Sequence, residues 1–219
     1  MNSLLITSSS NILPGNLSWK KLEKNNHLSF SEFGTWAQTL IEAKDDENIV
    51  SILFAKDFAN FIDDENLQNK LDLVEKVFKD RLEKSNGLNV LLFSSFFEKN
   101  ILDTTRFSSS FNKKVSNFYT QMYSLSEKKN NFIISNLDHI FGKIGYEECF
   151  DNRNWYLARC HLSSKGVEQI SNIIDEILYK KFFSPKKLLI LDCDNTLWGG
   201  VIGEDLSLIH ISEPTRRYS

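Results

Sequence analysis

The chain has 219 residues, 41% of them hydrophobic and 25% charged. That is the composition of an ordinary protein with a packed core, and it excludes a disordered chain. A formal net charge of -3 gives no electrostatic reason to expect nucleic acid as a partner.

No stretch reaches the length of a membrane span. Residues 1–7 lack the basic flank and long apolar run of a signal peptide. A cytoplasmic location with no membrane partner is the expectation. Cys149, Cys160 and Cys193 are odd in number and lack metal-like spacing, so reduced thiols are expected rather than a disulfide framework.

Short apolar runs alternate with helical patterns. Residues 4–7 read as a strand running into the polar loop Ser8, Ser9, Ser10 and Asn11. A weak helix follows at 34–43, and a second strand at 49–55. Leu67, Leu71, Val74, Val77 and Phe78 form one stripe of a helix over 64–84, with Gly87 as its stop. Residues 88–93 are a third strand. Val115, Phe118, Tyr119, Met122 and Leu125 stripe a helix over 110–129, and 131–135 are a fourth strand. Val167, Ile170, Ile173, Ile174, Ile177 and Leu178 form the clearest stripe, capped by Ser163 or Ser164. Continuous apolar strands suit burial on both faces, and the strand–helix rhythm predicts an α/β, three-layer, parallel-sheet domain over 1–182. Pro185 and two lysines then mark a linker before a fifth strand at 188–191.

The sharpest pattern follows that strand: Asp192-x-Asp194-x-Thr196. Two carboxylates two residues apart, just past a strand end, can reach one site, as phosphoryl transfer requires. One attacks phosphorus and the other exchanges protons with the leaving oxygen and water. A divalent cation such as Mg2+ offsets the negative charge.

The string over 189–205 resembles the FkbH-like branch of the haloacid-dehalogenase (HAD) superfamily, whose motif reads roughly LDLDNTLWGGVIGEDG. By that resemblance Asp192 matches the nucleophile and Asp194 the general acid/base. Asp192 ligates Mg2+ through its carboxylate and Asp194 through its carbonyl. Asn195 and Thr196 match positions that support the loop and the phosphate. Cys193, where the family has Leu, reads as a small core residue. Residues 183–205 are then the start of a truncated Rossmann-like HAD domain, present only as its first strand and first motif. The resemblance implies a phosphorylated three-carbon acid as substrate, an acyl carrier protein as glyceryl acceptor, and a setting in secondary metabolism.

Residues 154–166 resemble the end of the N-terminal domain of FkbH-like proteins, which is similar to SGNH (GDSL-type, flavodoxin-like) hydrolases. SGNH enzymes place a nucleophilic serine after the first strand and a D-x-x-H pair before the last helix. Ser8 and Ser9 stand at the first place and His161 at the second, but Ala158 occupies the acid's place. Without an acid the imidazole loses its orienting partner. The serines also fit an ordinary polar loop, and His161 a helix-flanking residue bonded to backbone. The expectation is a degenerate hydrolase fold used for binding. The alternatives are an SGNH esterase or acyltransferase, or a non-catalytic carrier-protein docking module. Arg153, Trp155, Tyr156 and Arg159 form a basic and aromatic cluster suited to an acidic carrier or to packing between domains.

Residues 206–216 read codon for codon as a translated transposase sequencing adapter. Residues 206–219 are therefore expected to be non-native, and His210, Glu213, Arg216 and Arg217 to carry no function. Lacking the later HAD motifs, this polypeptide is expected to show no phosphatase activity.

Overall fold

The computed structural model describes residues 2–58, 64–96 and 107–182. The chain divides into two compact units, Met1–Leu178 and Tyr179–Ser219. The fifth strand expected at 188–191, the motif at 191–200 and the adapter-like tail lie outside the described residues.

The first unit holds five strands: β1 (Asn2–Ser8), β2 (Asn26–Phe30), β3 (Asn48–Phe54), β4 (Asn89–Ser94) and β5 (Phe132–Asn136). They form one parallel sheet in the order β2-β1-β3-β4-β5. The helices are α1 (Lys20–Glu23), α2 (Trp36–Glu42), α3 (Asp64–Lys84), α4 (Phe107–Lys128), α5 (Leu137–Ile144), α6 (Tyr146–Cys149), α7 (Asn152–Ala158) and α8 (Ser164–Phe182).

Side chains alternate across each strand, so the sheet has two cores. Ile49, Leu53, Leu91 and Phe93 pack under α2, α3 and α4 through Leu40, Leu71, Phe78 and Phe118. Val50, Ile52, Val90 and Leu92 pack on the other face with Phe141 of α5 and Ile170 and Ile174 of α8. Both faces are buried, which is why β3 and β4 read as near-continuous apolar runs. This is the three-layer α/β fold expected.

β2 escapes the sequence pattern. It is short, polar and at the sheet edge, and only Asn26 of it is buried. Phe30 holds it by an edge contact to Trp19, ring centres 5.5 Å apart. Ser163 is the cap of α8: its Oγ accepts from the Gly166 amide at 3.1 Å. Gly87 differs from expectation. Its φ is not positive, and a Cβ there would stand 2.3 Å from the Glu47 carbonyl. The glycine permits close passage of two chain segments rather than a left-handed helix stop.

Arg81, on the buried side of α3, donates to the carbonyls of Ala43 (2.8 Å) and Lys44 (2.6 Å) and to Asn89 Oδ1 (3.3 Å). It ties down the loop that feeds β3. Removing it would orphan those carbonyls.

Candidate functional site

Parallel sheets of this order place their crevice outside the carboxyl ends of the strands on either side of the point where strand order reverses. Here that point lies between β1 and β3. The residues just past the two strands meet there.

Ser9 follows β1, and its amide donates to the Ile52 carbonyl of β3 at 3.1 Å. Asp57 ends the short 3-10 turn Ala55–Asp57 that follows β3. The Ser9 hydroxyl donates to Asp57 Oδ2 at 2.6 Å and accepts from the Phe54 amide at 3.0 Å. His161 Nε2 lies 2.6 Å from Asp57 Oδ1. A carboxylate only accepts, so this nitrogen carries the proton and donates. The His161 side chain is 2% exposed and that of Asp57 10%.

The imidazole is held between two rings. Trp155 stacks on it, centres 4.3 Å apart and planes 5° from parallel, and Phe54 meets it edge-on at 5.5 Å. Around it the chain is pinned to itself. Asp151 N donates to the His161 carbonyl, Asn154 Nδ2 to the Leu162 carbonyl, and Asn11 N to the Arg159 carbonyl. Nearby Cys160 is buried, which pushes its thiol up to about 11. Cys149 is likewise buried, and burial raises its thiol. Both are free thiols.

This corrects the reading of His161. Its partner is neither backbone nor a residue three positions earlier. Ala158 ends α7, and the carboxylate comes from Asp57, 104 residues away in sequence. The constellation also differs from a nucleophilic triad. There the imidazole stands between serine and carboxylate and takes the serine's proton. Here the carboxylate stands between serine and imidazole. Ser9 has no imidazole base, and its proton is committed to Asp57.

Ser8 is buried, and its Oγ accepts from the Ser10 amide at 3.3 Å. Among the described residues the Ser10 hydroxyl is buried without a hydrogen-bond partner. Ser10 is also one of the residues lining a recess of about 200 Å3, with Ser8, Asn11, Ser31, Glu32, Ile12 and Phe33. Among the described residues no lysine or arginine lines that recess.

A second carboxylate closes the end of β4. Asp138, in the first turn of α5, accepts from Ser94 Oγ (2.7 Å), Ser95 N (2.8 Å) and Ser95 Oγ (2.5 Å). Tyr119 OH donates to the Phe93 carbonyl at 3.0 Å, and burial raises its phenol far above the ordinary range. These contacts fix the strand end.

Asp192, Asp194, Asn195 and Thr196 lie outside the described residues. Among the described residues no group of three or more His, Cys, Asp or Glu could hold a metal ion. None of their helices is long and apolar enough to cross a membrane.

No family profile matches the chain, and no curated protein matches it. Solved structures do. One is the N-terminal part of the protein BF1531 from Bacteroides fragilis, containing a phosphatase domain and complexed with Mg. It has a TM-score of 0.67 at 20% identity, over 93% of this chain and 58% of that one. Another is the salicylyl-acyltransferase SsfX3 from a tetracycline biosynthetic pathway. Its TM-score is 0.52 at 12% identity, over 83% of this chain and 55% of that one. At such identities the likeness is one of fold. The chain spans less than two thirds of the length of either structure.

Proposed function

We propose that the chain belongs to an FkbH-like phosphotransferase, with residues 1–182 as a non-hydrolytic binding domain and residues 183–205 as the start of the catalytic domain. The single observation that carries the first half is the position of Asp57. It accepts from both Ser9 and His161, so the parts of a hydrolase site stand in an order that gives the serine a carboxylate in place of an imidazole partner. The Ser-His alternative, an esterase or acyltransferase, needs those two side chains in contact.

The second half rests on the motif at 191–200 and is supported by the fold shared with a structure containing a phosphatase domain. In this reading the Asp192 carboxylate attacks phosphorus, and Asp194 protonates the leaving oxygen and then deprotonates water. Asn195 and Thr196 steady the loop and the phosphate. The donors, the Asp192 carboxylate and the Asp194 carbonyl, are hard oxygens of the kind Mg2+ takes, and the ion would neutralise charge on the transferring group. The substrate is a phosphorylated three-carbon acid and the acceptor an acyl carrier protein.

Two measurements test this. The 219-residue chain should give p-nitrophenyl acetate turnover no faster than buffer. Turnover that His161→Ala abolishes would refute the non-hydrolytic reading. A reading frame continuing beyond Asp205 through a whole catalytic domain, given Mg2+, 1,3-bisphosphoglycerate and a carrier protein, should add a glyceryl mass to the carrier's phosphopantetheine arm. An unchanged mass with every carrier tried counts against the acceptor.

A further inference from the structure

Helix α7 is held firmly in place and left uncovered. It buries none of its residues. Tyr156 and Leu157 are 82% and 85% exposed on it, and Arg153 and Arg159 are exposed beside them. One exposed leucine is ordinary. A leucine and a tyrosine between two guanidinium groups match the composition of interface centres, where tyrosine and arginine carry much of the binding energy.

The helix is preorganised. Its cap is Asp151, whose Oδ1 accepts from the Arg153 amide at 2.9 Å. Trp155 stacks on the buried His161, and Asn154 is tied to Leu162. A surface ordered in advance loses less freedom on association. Arg159 adds a second observation. It adopts φ 54 and ψ 36, left-handed backbone at the helix end. Glycine fits that position better, by about 1 kcal/mol. The arginine there spreads its guanidinium over Trp155, 5.3 Å from the ring centre, while remaining open to solvent.

We infer that the outer face of α7 (Arg153, Tyr156, Leu157 and Arg159) is a docking surface for an acidic carrier protein. Its arginines would meet carboxylates, and Tyr156 and Leu157 an apolar seam between them. The inference rests on the reading above that the acceptor is a carrier protein. Charge selects this occupant over others. A second copy packed symmetrically would set the arginines of one α7 near those of the other. Nucleic acid would find only two cations, too few for strong phosphate neutralisation.

The test titrates fluorescently labelled apo acyl carrier protein with the full 219-residue chain, following anisotropy, with single-stranded RNA as comparison. Saturable carrier binding that weakens with salt is expected. Arg153→Glu, and the double change Tyr156→Ser with Leu157→Ser, should each weaken it about tenfold or more. Arg159→Gly should weaken binding while keeping or raising the urea midpoint, because glycine suits the backbone there. The exposed sites should leave circular dichroism unchanged. Wild-type affinity in both Arg153→Glu and the double variant would overturn α7 as the surface and leave the carrier reading standing. Absence of saturable binding by the wild-type chain would overturn both. RNA binding tighter than carrier binding would overturn the class of partner.

Discussion

Replacing Asp57 by alanine tests whether the shared carboxylate holds the carboxyl edge of the sheet together. The side chain accepts two hydrogen bonds of 2.6 Å, from Ser9 and from His161. His161 is 2% exposed, so its N–H has no water to turn to. A buried donor left unpaired costs about 1–3 kcal/mol. Ser9 is partly exposed and its hydroxyl can rotate, so its loss is nearer about 1 kcal/mol. Together Asp57→Ala should destabilise the chain by about 2–4 kcal/mol, a fall in melting temperature on the order of 10 °C for a chain of this size. Asp57→Asn keeps one acceptor oxygen and should lose roughly half as much. The assay is urea unfolding followed by tryptophan fluorescence, with Trp19 buried and Trp155 stacked on His161 as reporters. A shift of midpoint at constant slope gives the free-energy change. If Asp57→Ala unfolds within about 0.5 kcal/mol of wild type, inside the usual scatter for surface changes, then the carboxylate does not organise the site.

Gly166→Ala, which in an open helix would help by about 1 kcal/mol, should instead cost about 1–3 kcal/mol. The new Cβ would fall 2.2 Å from the Cys149 carbonyl, and urea midpoints decide the sign. Cys160 and Cys149 should resist iodoacetamide at pH 8 in the native chain and react once it is denatured, because burial keeps both thiols protonated. Native labelling of Cys160 at pH 8 would contradict this. The same shift gives a pH dependence. The unfolded Cys160 thiol ionises near its ordinary 9.0 and the folded one near about 11, so its contribution to stability is whole below pH 9.0 and falls as pH rises toward 11.

Much of the fold was legible because burial on both faces leaves a near-continuous apolar run. β3, β4 and the long helices α3, α4 and α8 follow from that and from a 3.6-residue stripe. β2 was not legible, since an edge strand with mixed polarity obeys neither rule. Arg81 was missed although a signal existed. It falls three and four residues after Phe78 and Val77, on the buried stripe of α3, where a charge must find partners inside. Asp57 had no local signal: an acid after a strand is common, and its partners lie 48 and 104 residues away. Strand order is what brings them together. Once β1 and β3 are neighbours across the reversal, the first residues past their ends are candidates for one crevice.

That distinction changes what Ala158 means. Sought at a fixed offset from His161, the orienting acid is missing, and the site looks broken for want of a carboxylate. Found through space, the carboxylate is present and pairs with the histidine Nε2, yet the serine is bonded to the acid rather than to the imidazole. On the non-hydrolytic reading proposed above, the obstacle is the order of the three groups. Supplying an acid at Ala158 would not repair it while Asp57 remains, because Asp57 would still hold the Ser9 proton and the His161 nitrogen that a nucleophilic serine needs free.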